Sequence, residues 1–446
     1  QVPTTISDST DSGYAIVTQG TGSSNKTTNT TDTQSAINIW PRVTSISGAS
    51  FSDGGYQNGT FTLNGNHFGA VAGSIAVNGQ TQDGTPTWGA ASITGIGIPN
   101  TGTDSGNIIL TKSDTKTSNT YSTFYIYPQI TGFTNETDGA LADGGRQTHL
   151  ITISGNHFGT GGGNAQIVVN GVVPSASTPT WGAASITGVY IPNSGTDSGV
   201  IVVTNLQTSK ASNNSSTFYI YPTITSLTVP TATTDAAREY LVSDSDGIIT
   251  INGNHFGVAG TVTILGSTST QQTTATCTGS AYQATCVGVQ IPTAIVDNSY
   301  TGNATVSRTT DSKDHAYAGF RVLPRITSLN PNSGATNDPI VVIGNHLCQS
   351  GTCPIAGNRS TASDNVTFFN AVQVTDGNVT AWGHGDSSAS GVNVNVPSSS
   401  ATGNIVITSN TYASNGVSFT KLSSAPADPT NLLQFETNND LTDSPP

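Results

Sequence analysis

Gly-Asn-His-Phe-Gly occurs three times in this chain, at Gly65–Gly69, Gly155–Gly159 and Gly253–Gly257. A fourth copy at Gly344–Leu347 reads Gly-Asn-His-Leu. Successive copies lie about 90 to 100 residues apart, a spacing typical of tandem repeats that each form one domain. The chain of 446 residues therefore holds four complete repeat units.

Apolar residues alternate with polar ones on both sides of each Gly-Asn-His element. Phe61 and Leu63 precede the first copy, and Ile151 and Ile153 precede the second. A period of two is typical of β-strands with one buried face, and Gly, Asn and Asp separate the runs as turn residues do. About seven short strands in each unit predict a β-sandwich of immunoglobulin type.

Each unit begins at a proline that directly follows the closing strand of the unit before it. Proline is tolerated at the first position of a strand, where its missing N–H is not needed. The sequence therefore predicts an all-β, linear tandem array without linkers. Its four units, called domains 1 to 4 below, span residues 41–127, 128–221, 222–323 and 324–421.

The composition narrows the class of protein. Only 9% of the residues are charged, against about 25% in typical domains, and the net charge is −13. The 13 Lys and Arg residues form no basic cluster, which excludes nucleic acid and an anionic membrane surface as expected partners. No apolar run reaches the roughly 18 residues of a membrane helix. We expect an extracellular or cell-surface β protein with no membrane span in this chain.

The order of these elements resembles that of the IPT/TIG immunoglobulin-like domain. An opening Pro-x-Ile-x-Ser strand, the Gly-Asn-His element, a mid-unit proline, a Gly-x-Ile-x-Val strand and a closing Phe-x-Ile strand follow one another in this order. The stretch Asn330–Gly334, Asn-Pro-Asn-Ser-Gly, matches the early turn of that family best. The resemblance covers residues 41–420 and implies tandem immunoglobulin-like sandwiches of an extracellular surface or filament protein.

Residues 1–40 repeat only the end of a unit. The Thr-Asp-Ser-Gly of Thr10–Gly13 recurs at Thr103–Gly106 and Thr196–Gly199, in the same register. This segment, called the half unit below, is predicted to hold the last two strands of a sandwich, which leaves an apolar face and strand edges unpaired. Either upstream sequence or strands from another subunit would complete it.

The second alternative predicts head-to-tail assembly of copies of this chain by β-strand addition. The tail, residues 422–446, does not match the opening of a new unit, and its apolar run is the candidate donor strand. The residues expected to lie in strands between subunits are Tyr14, Ile16, Ile37, Ile39, Leu432, Leu433 and Phe435.

The four cysteines form two local pairs, Cys277 with Cys286 and Cys348 with Cys353. Close pairs in a chain that is poor in lysine and rich in Ser and Thr are typical of disulfides formed in an oxidising compartment. A zinc site is the weaker alternative, because neither pair has the Cys-x2-Cys spacing.

No catalytic motif is recognisable, and we expect no enzyme activity. Four histidines, His67, His157, His255 and His346, occupy one equivalent position in each unit, where we expect them to bond backbone groups at a strand end. We expect no cofactor. Calcium is a weak alternative, because Asp244–Gly247 and the Thr-Asp-Ser-Gly turns place oxygen ligands on tight loops without matching the twelve-residue calcium loop.

Two surface features bear on binding. Sequons in the polar loop before the closing strand make Asn25, Asn29, Asn213 and Asn214 the expected glycosylation sites. Trp88 and Trp181 recur at one position, with Trp382 as the counterpart in domain 4. If exposed, these tryptophans could stack on surface glycans, but we expect them to be large core residues of the sandwiches.

The sequence therefore predicts an extracellular structural subunit of a surface filament, pilus-like fibre or stalk, used in attachment. Two alternatives remain. One is a fragment of a large cell-surface adhesin or receptor, and the other is a carbohydrate-binding accessory region of a secreted glycan-degrading enzyme. The first would bind through loops at the ends of its sandwiches, and the second is another setting in which the resembled family occurs.

Overall fold

A computed structural model describes residues 6–7, 12–13, 18–19, 26–27, 37–159, 161, 163–175, 178–228, 239–241, 248–257, 260–264, 267–268, 277–278, 284–290, 301–348, 364–369, 379–383, 391–409 and 412–423. They form strands, turns and loops, and no helix occurs among them. The prediction of an all-β protein is confirmed. A search of the same residues for a helix that could cross a membrane finds none.

The described part of the half unit forms two short antiparallel pairs, β1 with β4 and β2 with β3. Gly13 lies opposite Ile37, as Gly106 lies opposite Phe124 in domain 1. The half unit therefore has the register of the last two strands of a sandwich. Its strands are β1 (Ser12–Gly13), β2 (Thr18–Gln19), β3 (Lys26–Thr27) and β4 (Ile37–Asn38).

Domain 1 consists of two sheets, ordered β10-β11-β7-β5 and β6-β13-β12-β8-β9. The pairing of β6 with β13 is parallel. The strands are β5 (Arg42–Ser47), β6 (Gly54–Tyr56), β7 (Thr60–Asn66), β8 (Ser74–Val77), β9 (Gln80–Thr81), β10 (Thr87–Trp88), β11 (Ser92–Gly97), β12 (Ser105–Thr111) and β13 (Tyr121–Tyr127).

Domain 2 repeats this arrangement, with sheets ordered β14-β16-β19-β18, β15-β23-β20 and β17-β21-β22. No strand equivalent to β9 pairs with the outer edge of β17 within the described residues. The strands are β14 (Gln129–Asn135), β15 (Gly144–Arg146), β16 (Leu150–Asn156), β17 (Ala165–Val169), β18 (Thr180–Trp181), β19 (Ser185–Tyr190), β20 (Ser198–Gly199), β21 (Ile201–Asn205), β22 (Lys210–Ala211) and β23 (Phe218–Tyr221).

Domain 3 has sheets ordered β24-β26-β30-β29 and β25-β32-β31-β27-β28. Its strands are β24 (Thr223–Thr228), β25 (Glu239–Leu241), β26 (Ile248–Asn254), β27 (Gly260–Ile264), β28 (Ser267–Thr268), β29 (Cys277–Thr278), β30 (Ala284–Gln290), β31 (Thr301–Arg308) and β32 (Asp314–Leu323). The chain divides into two compact units between Tyr221 and Pro222.

Domain 4 has sheets ordered β33-β35-β38-β37 and β34-β41-β39-β36, with β40 paired to β39. Its strands are β33 (Arg325–Asn330), β34 (Ser333–Gly334), β35 (Pro339–Asn345), β36 (Asn365–Thr367), β37 (Val379–Ala381), β38 (Val392–Asn395), β39 (Gly403–Ser409), β40 (Tyr412–Ala413) and β41 (Val417–Lys421). Each complete domain thus presents two layers of strands, the arrangement of tandem immunoglobulin-like sandwiches.

A separate hydrophobic core lies within the described part of each domain. The residue after each Gly-Asn-His element belongs to that core and has no exposed side chain, as seen at Phe68, Phe158, Phe256 and Leu347. Burying one such side chain contributes about 1.5 to 3 kcal/mol. The repeated motif therefore anchors the end of a central strand in each sandwich.

The glycine of the motif is required by close packing. A Cβ atom at Gly155 would overlap the backbone carbonyl oxygen of Gln129 and the ring of Phe158. The histidine that follows two positions later, His157, has a left-handed φ of 56°, which turns the chain away from the sheet. The same clash with a carbonyl oxygen of the opening strand and the same left-handed histidine recur in the other three domains.

An asparagine before the closing strand fastens the opening strand of the sandwich. Asn119 Oδ1 accepts the Val43 N–H at 2.7 Å, and its Nδ2 donates to the Val43 oxygen at 3.2 Å. This amide satisfies two backbone groups that would otherwise lack partners. The equivalent pairs are Asn213 with Ile130, Asn415 with Ile326 and, with a histidine in that place, His315 with Ile224.

The cysteines lie in domains 3 and 4. Cys277 on β29 is the register partner of Cys286 on β30, so the two backbones face each other directly. Cys348 is fully buried and disulfide-bonded, and no free cysteine occurs among the described residues. Because Cys353 lies outside the described residues, the pairing of Cys348 with Cys353 stays a prediction, as does the bond between Cys277 and Cys286.

Candidate functional site: the junction of domains 1 and 2

Domains 1 and 2 are joined by a single residue, Pro128, between the end of β13 at Tyr127 and the start of β14 at Gln129. The hairpin of β21 and β22 in domain 2 makes the contacts with domain 1. Asn205 and Lys210 are register partners across this hairpin. Two of the three described side chains that bond domain 1 therefore project from one hairpin, and the third, His157, follows β16.

Asp104 of domain 1 is held by two side chains of domain 2. His157 Nδ1 lies 2.9 Å from Asp104 Oδ1, and Asn205 Nδ2 donates to Asp104 Oδ2 at 2.8 Å. The His157 side chain is 8% exposed and that of Asp104 is 23% exposed. Two bonds to one carboxylate fix its orientation, and hydrogen bonds to a charged group are the stronger kind, contributing about 1.5 to 3 kcal/mol each.

The turn that carries Asp104 is itself held in place within domain 1. Thr103 Oγ1 donates to the Ser105 oxygen at 2.8 Å, and Asn78 Nδ2 donates to the Thr103 oxygen at 3.1 Å. Gly106 follows, and a Cβ there would meet Asn78 at 2.9 Å. The Thr-Asp-Ser-Gly sequence thus serves to present the carboxylate of Asp104 in a fixed position.

Asp53 of domain 1 forms the second contact. Its Oδ2 accepts a hydrogen bond from Lys210 Nζ at 2.6 Å, and its Oδ1 accepts one from the Tyr127 hydroxyl at 2.7 Å. Lys210 Nζ also lies 4.4 Å from the centre of the Tyr125 ring and 5.3 Å from that of Tyr127. Phe51 stacks on Tyr127 with ring centres 3.9 Å apart. The ammonium group is therefore held by a carboxylate and two aromatic faces.

The ionisation of these groups favours the contact. Partial burial alone would raise the pKa of Asp53, but hydrogen bonds from Lys210 and Tyr127 hold it below its ordinary value. The hydrogen bond to Asp53 is the main cause that raises the pKa of Lys210. Burial raises the pKa of the Tyr127 hydroxyl, which stays a donor. Near neutral pH the carboxylate and the ammonium are thus both charged.

We expect this contact to weaken at both extremes of pH. A carboxyl group with a lowered pKa contributes stability above its unfolded value of about 3.9 and loses it as pH falls through the lower folded value. An ammonium group with a raised pKa contributes its full stability below its unfolded pKa of about 10.4. It loses that stability as the pH rises through the higher pKa of the folded state.

The expected pH dependence can be measured by the distance distribution between nitroxide labels that replace Val71 and Ala140. Both side chains are exposed, one in each domain. The distribution should be narrow at neutral pH and broaden in acid, as the pH falls through the lowered pKa of Asp53 and its carboxyl gains a proton. An unchanged distribution in acid would show that the ion pair does not hold the domains together.

A cleft of about 700 Å³ lies beside these contacts. Domain 1 lines it with the turn Asn100–Ser105, and domain 2 with Asn156–Gly159 and the hairpin residues Gln207 and Thr208. Asp104 and His157 are its titratable side chains, and they bond each other. Among the described residues no group of three or more His, Cys, Asp or Glu could hold a metal ion.

The position of His157 corrects one expectation. Histidines of the repeated motif were expected to bond backbone groups, but His157 Nδ1 bonds a carboxylate of the preceding domain, because the Thr-Asp-Ser-Gly turn of domain 1 places Asp104 Oδ1 2.9 Å from it. Asp104 likewise belongs to a turn that the sequence presents as an ordinary turn or a weak calcium candidate. Asp244 and its neighbours lie outside the described residues.

The tryptophans have core positions, as expected. Trp88 and Trp181 are partly buried against the cores of domains 1 and 2. Trp382 is 8% exposed, and its Nε1 donates to the Leu347 oxygen at 3.0 Å. Of the residues predicted between subunits, Ile37 is 47% exposed and Ile39 is half-buried, whereas Tyr14, Ile16, Leu432, Leu433 and Phe435 lie outside the described residues.

The sequons before the closing strand differ in accessibility. Asn213 Nδ2, the atom that would carry a glycan, donates to the Ile130 oxygen at 2.9 Å and to the Asn214 oxygen at 3.1 Å. The Asn214 side chain is exposed. Asn25 and Asn29 lie outside the described residues.

If the protein is glycosylated, we expect the glycan on Asn214 and none on Asn213, because glycosylation of Asn213 would break its bond to the opening strand. Glycopeptide mass spectrometry with site assignment measures this directly. A glycan located on Asn213 would contradict the structural role given to its amide.

Sequence reasoning missed the junction residues Asp53, Asp104, Asn205 and Lys210. Asp104 left one signal, since its turn recurs with Asp11 and Asp197 at the same place. Asp53, Asn205 and Lys210 have no recognisable sequence pattern, because nothing in a single sequence relates Asp53 to Lys210, 157 positions away.

No protein-family model matches the sequence, and no curated protein matches it. Among solved structures, it is similar to the surface glycan-binding protein PbSGBP-B from Prevotella bryantii, with 16% identity, a TM-score of 0.27 and coverage of 49% of this chain and 54% of that one. It is also similar to the ICAM-5 D1–D4 ectodomain, with 11% identity, a TM-score of 0.19 and coverage of 86% and 99%.

The plexin A4 extracellular region is similar at 14% identity and a TM-score of 0.18, covering 84% of this chain and 30% of that one. The chain thus spans about half of the length of the glycan-binding protein and less than a third of plexin A4. At such TM-scores the likeness carries no information on what this chain binds.

Proposed function

We propose that this chain is an extracellular structural protein rather than an enzyme, built from IPT/TIG-like domains in a stiff tandem array. The observation that carries the proposal is the junction of domains 1 and 2, where a one-residue connection is reinforced by two separate carboxylate contacts. A freely hinged array would need neither contact. Stiff, linker-free modules suit a filament, fibre or stalk that keeps an attachment site away from the cell surface.

We further propose that copies assemble head to tail through the half unit. Ile37 occupies the register position of Phe124 and Phe218, which have no exposed surface, yet it is itself 47% exposed. Trp40 beside it is 58% exposed. Covering each of these side chains would contribute about 1.5 to 3 kcal/mol, a substantial driving force for association with strands from a neighbouring copy.

Negative-stain electron microscopy of the purified full chain tests the assembly. We expect filaments from the unmodified chain and their loss on Ile37→Asp, because the substitution places a charge on the face to be covered. Val71→Asp is the matched control, since Val71 is 66% exposed in domain 1 and has no place in the contact. Filaments that survive Ile37→Asp, or equal loss with both variants, would overturn head-to-tail assembly through this face.

Monodisperse chains that bind polysaccharide would instead favour the glycan-binding alternative. The cleft between domains 1 and 2 is the place where such a ligand would be sought. Its described lining combines amide and hydroxyl side chains and the bonded Asp104 and His157 with apolar groups, and its one aromatic residue, Phe158, is fully buried and offers no face for stacking on a sugar.

A further inference from the structure

In domain 1, the outer edge of strand β8 is covered by the segment that follows it in the chain. Gln82 Oε1 accepts the Ile75 N–H at 3.1 Å, and the Gln82 N–H donates to the Ile75 oxygen at 3.0 Å. The next residue, Asp83, exchanges backbone hydrogen bonds of 3.2 and 3.0 Å with Gly97 in the other sheet. One segment therefore covers the edges of both sheets on this side of the sandwich.

The described residues of domain 2 do not form this closure. Counting from the shared Asn-Gly turns, at Asn78 and Asn170, Pro174 stands where domain 1 has Gln82. Proline has no N–H to donate. The segment after Asn170 is bonded to the edge strand only between Val169 and Val172, within the described residues.

The backbone of Ile167, the counterpart of Ile75, consequently faces outwards. Ile167 pairs with Val203, whose own N–H and oxygen are both bonded to Ser212 on the opposite side. Ile167 and Val203 thus form a non-hydrogen-bonded pair. In such a pair of an antiparallel ladder, the backbone N–H and C=O groups of each residue point away from the other strand. The N–H and C=O of Ile167 therefore point to the open edge of β17, and no described residue bonds them.

An apolar groove of about 450 Å³ runs beside this edge. Val173 and Leu206 are 49% and 46% exposed, and the other apolar lining side chains are Ala165, Ile167, Pro174, Pro179 and Trp181. No charged residue lines the groove, and β17 itself carries no charge or proline. Natural edge strands usually carry such residues to prevent pairing, so this edge is open to an added strand.

We propose that β17 of domain 2 accepts the run Leu432–Phe435 from the tail of a second copy as an added strand. The inference rests on the proposed assembly of copies and adds β17 to the half unit as a second surface of contact between them. The run has four residues without charge, a length of about 13 Å, against about 16 Å for the five residues of β17. Leu433 and Phe435 would share one face of that strand and enter the uncharged groove, while its backbone bonds Ile167.

A sugar fits this groove less well than a strand. Gln166 and Thr178 are the polar side chains in its lining, whereas a glycan needs several donors and acceptors for its hydroxyl groups. The open backbone groups of Ile167 are the partners that an extended peptide requires.

The test uses a synthetic peptide of residues 429–438 and the full chain carrying Leu433→Asn and Phe435→Asn, so that its own tail does not compete. We expect binding by calorimetry and slower hydrogen exchange at Ile167. Val173→Glu should weaken binding at least about tenfold, because it places a charge in the apolar groove. Val71→Glu, the same change at another exposed valine, should leave the affinity unchanged.

Pro174→Gln provides an independent variant. It introduces the residue with which domain 1 closes its edge, and we expect it to weaken peptide binding without loss of folding. Binding that is insensitive to both Val173→Glu and Pro174→Gln, no binding of the peptide, or binding of a polysaccharide in the groove would each overturn the inference.

The experiments distinguish failure of the β17 site from failure of filament assembly. Filaments that persist with Val173→Glu would leave assembly intact and remove β17 as the acceptor. Peptide binding at β17 by chains that form no filaments under any condition would keep the site and remove filament assembly.

Discussion

Replacing Asp104 with alanine is expected to uncouple domain 2 from domain 1. The change removes both hydrogen bonds to the carboxylate and leaves His157, 8% exposed, and Asn205, fully buried, without that acceptor. Leaving buried polar groups unsatisfied costs about 1 to 3 kcal/mol each. For the two groups together we therefore expect the loss of about 2 to 6 kcal/mol of coupling between the domains.

The loss should appear in hydrogen exchange of the hairpin amides of Gln207 and Thr208, which donate to Asn205 Oδ1. Exchange there should accelerate by about 30-fold or more, since each tenfold corresponds to about 1.4 kcal/mol. Asp114→Ala is the control in domain 1, because it removes a carboxylate whose contacts with Lys112 and Lys116 all lie within that domain. Equal exchange rates in both variants would contradict the role given to Asp104.

The second large effect is expected on the stability of domain 2 itself. Gly155→Ala forces a Cβ atom onto the carbonyl oxygen of Gln129 and the ring of Phe158. Because the carbonyl belongs to a paired strand and cannot move away freely, we expect a loss of about 3 kcal/mol in the free energy of unfolding. Urea denaturation followed by the change in tryptophan fluorescence measures this.

Gly132→Ala is the control for that experiment. Gly132 lies on β14, the strand paired with β16, and a Cβ atom there would meet nothing within 4 Å. Its substitution should change the free energy of unfolding by less than about 1 kcal/mol. A loss of stability that is as small for Gly155→Ala as for Gly132→Ala would show that the strands adjust to the added methyl group.

The parts of the molecule that depend on local sequence could be predicted. The alternation around Phe61 and Leu63 indicates strands, and both side chains are buried in the core of domain 1. The prolines between units mark positions where one strand ends and the next begins, as at Pro128. Both inferences rest on the chemistry of neighbouring residues and need no knowledge of the folded chain.

The junction depends instead on contacts between distant residues. Asn205 meets Asp104 across 101 positions, and Lys210 meets Asp53 across 157. An aspartate in a Thr-Asp-Ser-Gly turn has the same local sequence whether it faces solvent or a neighbouring domain. The open edge of domain 2 could not be predicted from the sequence either. Pro174 stands where domain 1 has Gln82, but the effect of that difference on the sheet edge follows only from the register of β8 and β17.

The central claim is that domains 1 and 2 form one stiff structural unit. Its most direct test is double electron–electron resonance on the full chain at neutral pH, with labels replacing the exposed residues Val71 and Ala140. The two carboxylate contacts predict one narrow distance distribution, which broadens when Asp104→Ala and Lys210→Ala are combined. A broad distribution in the chain with both contacts intact would contradict the claim.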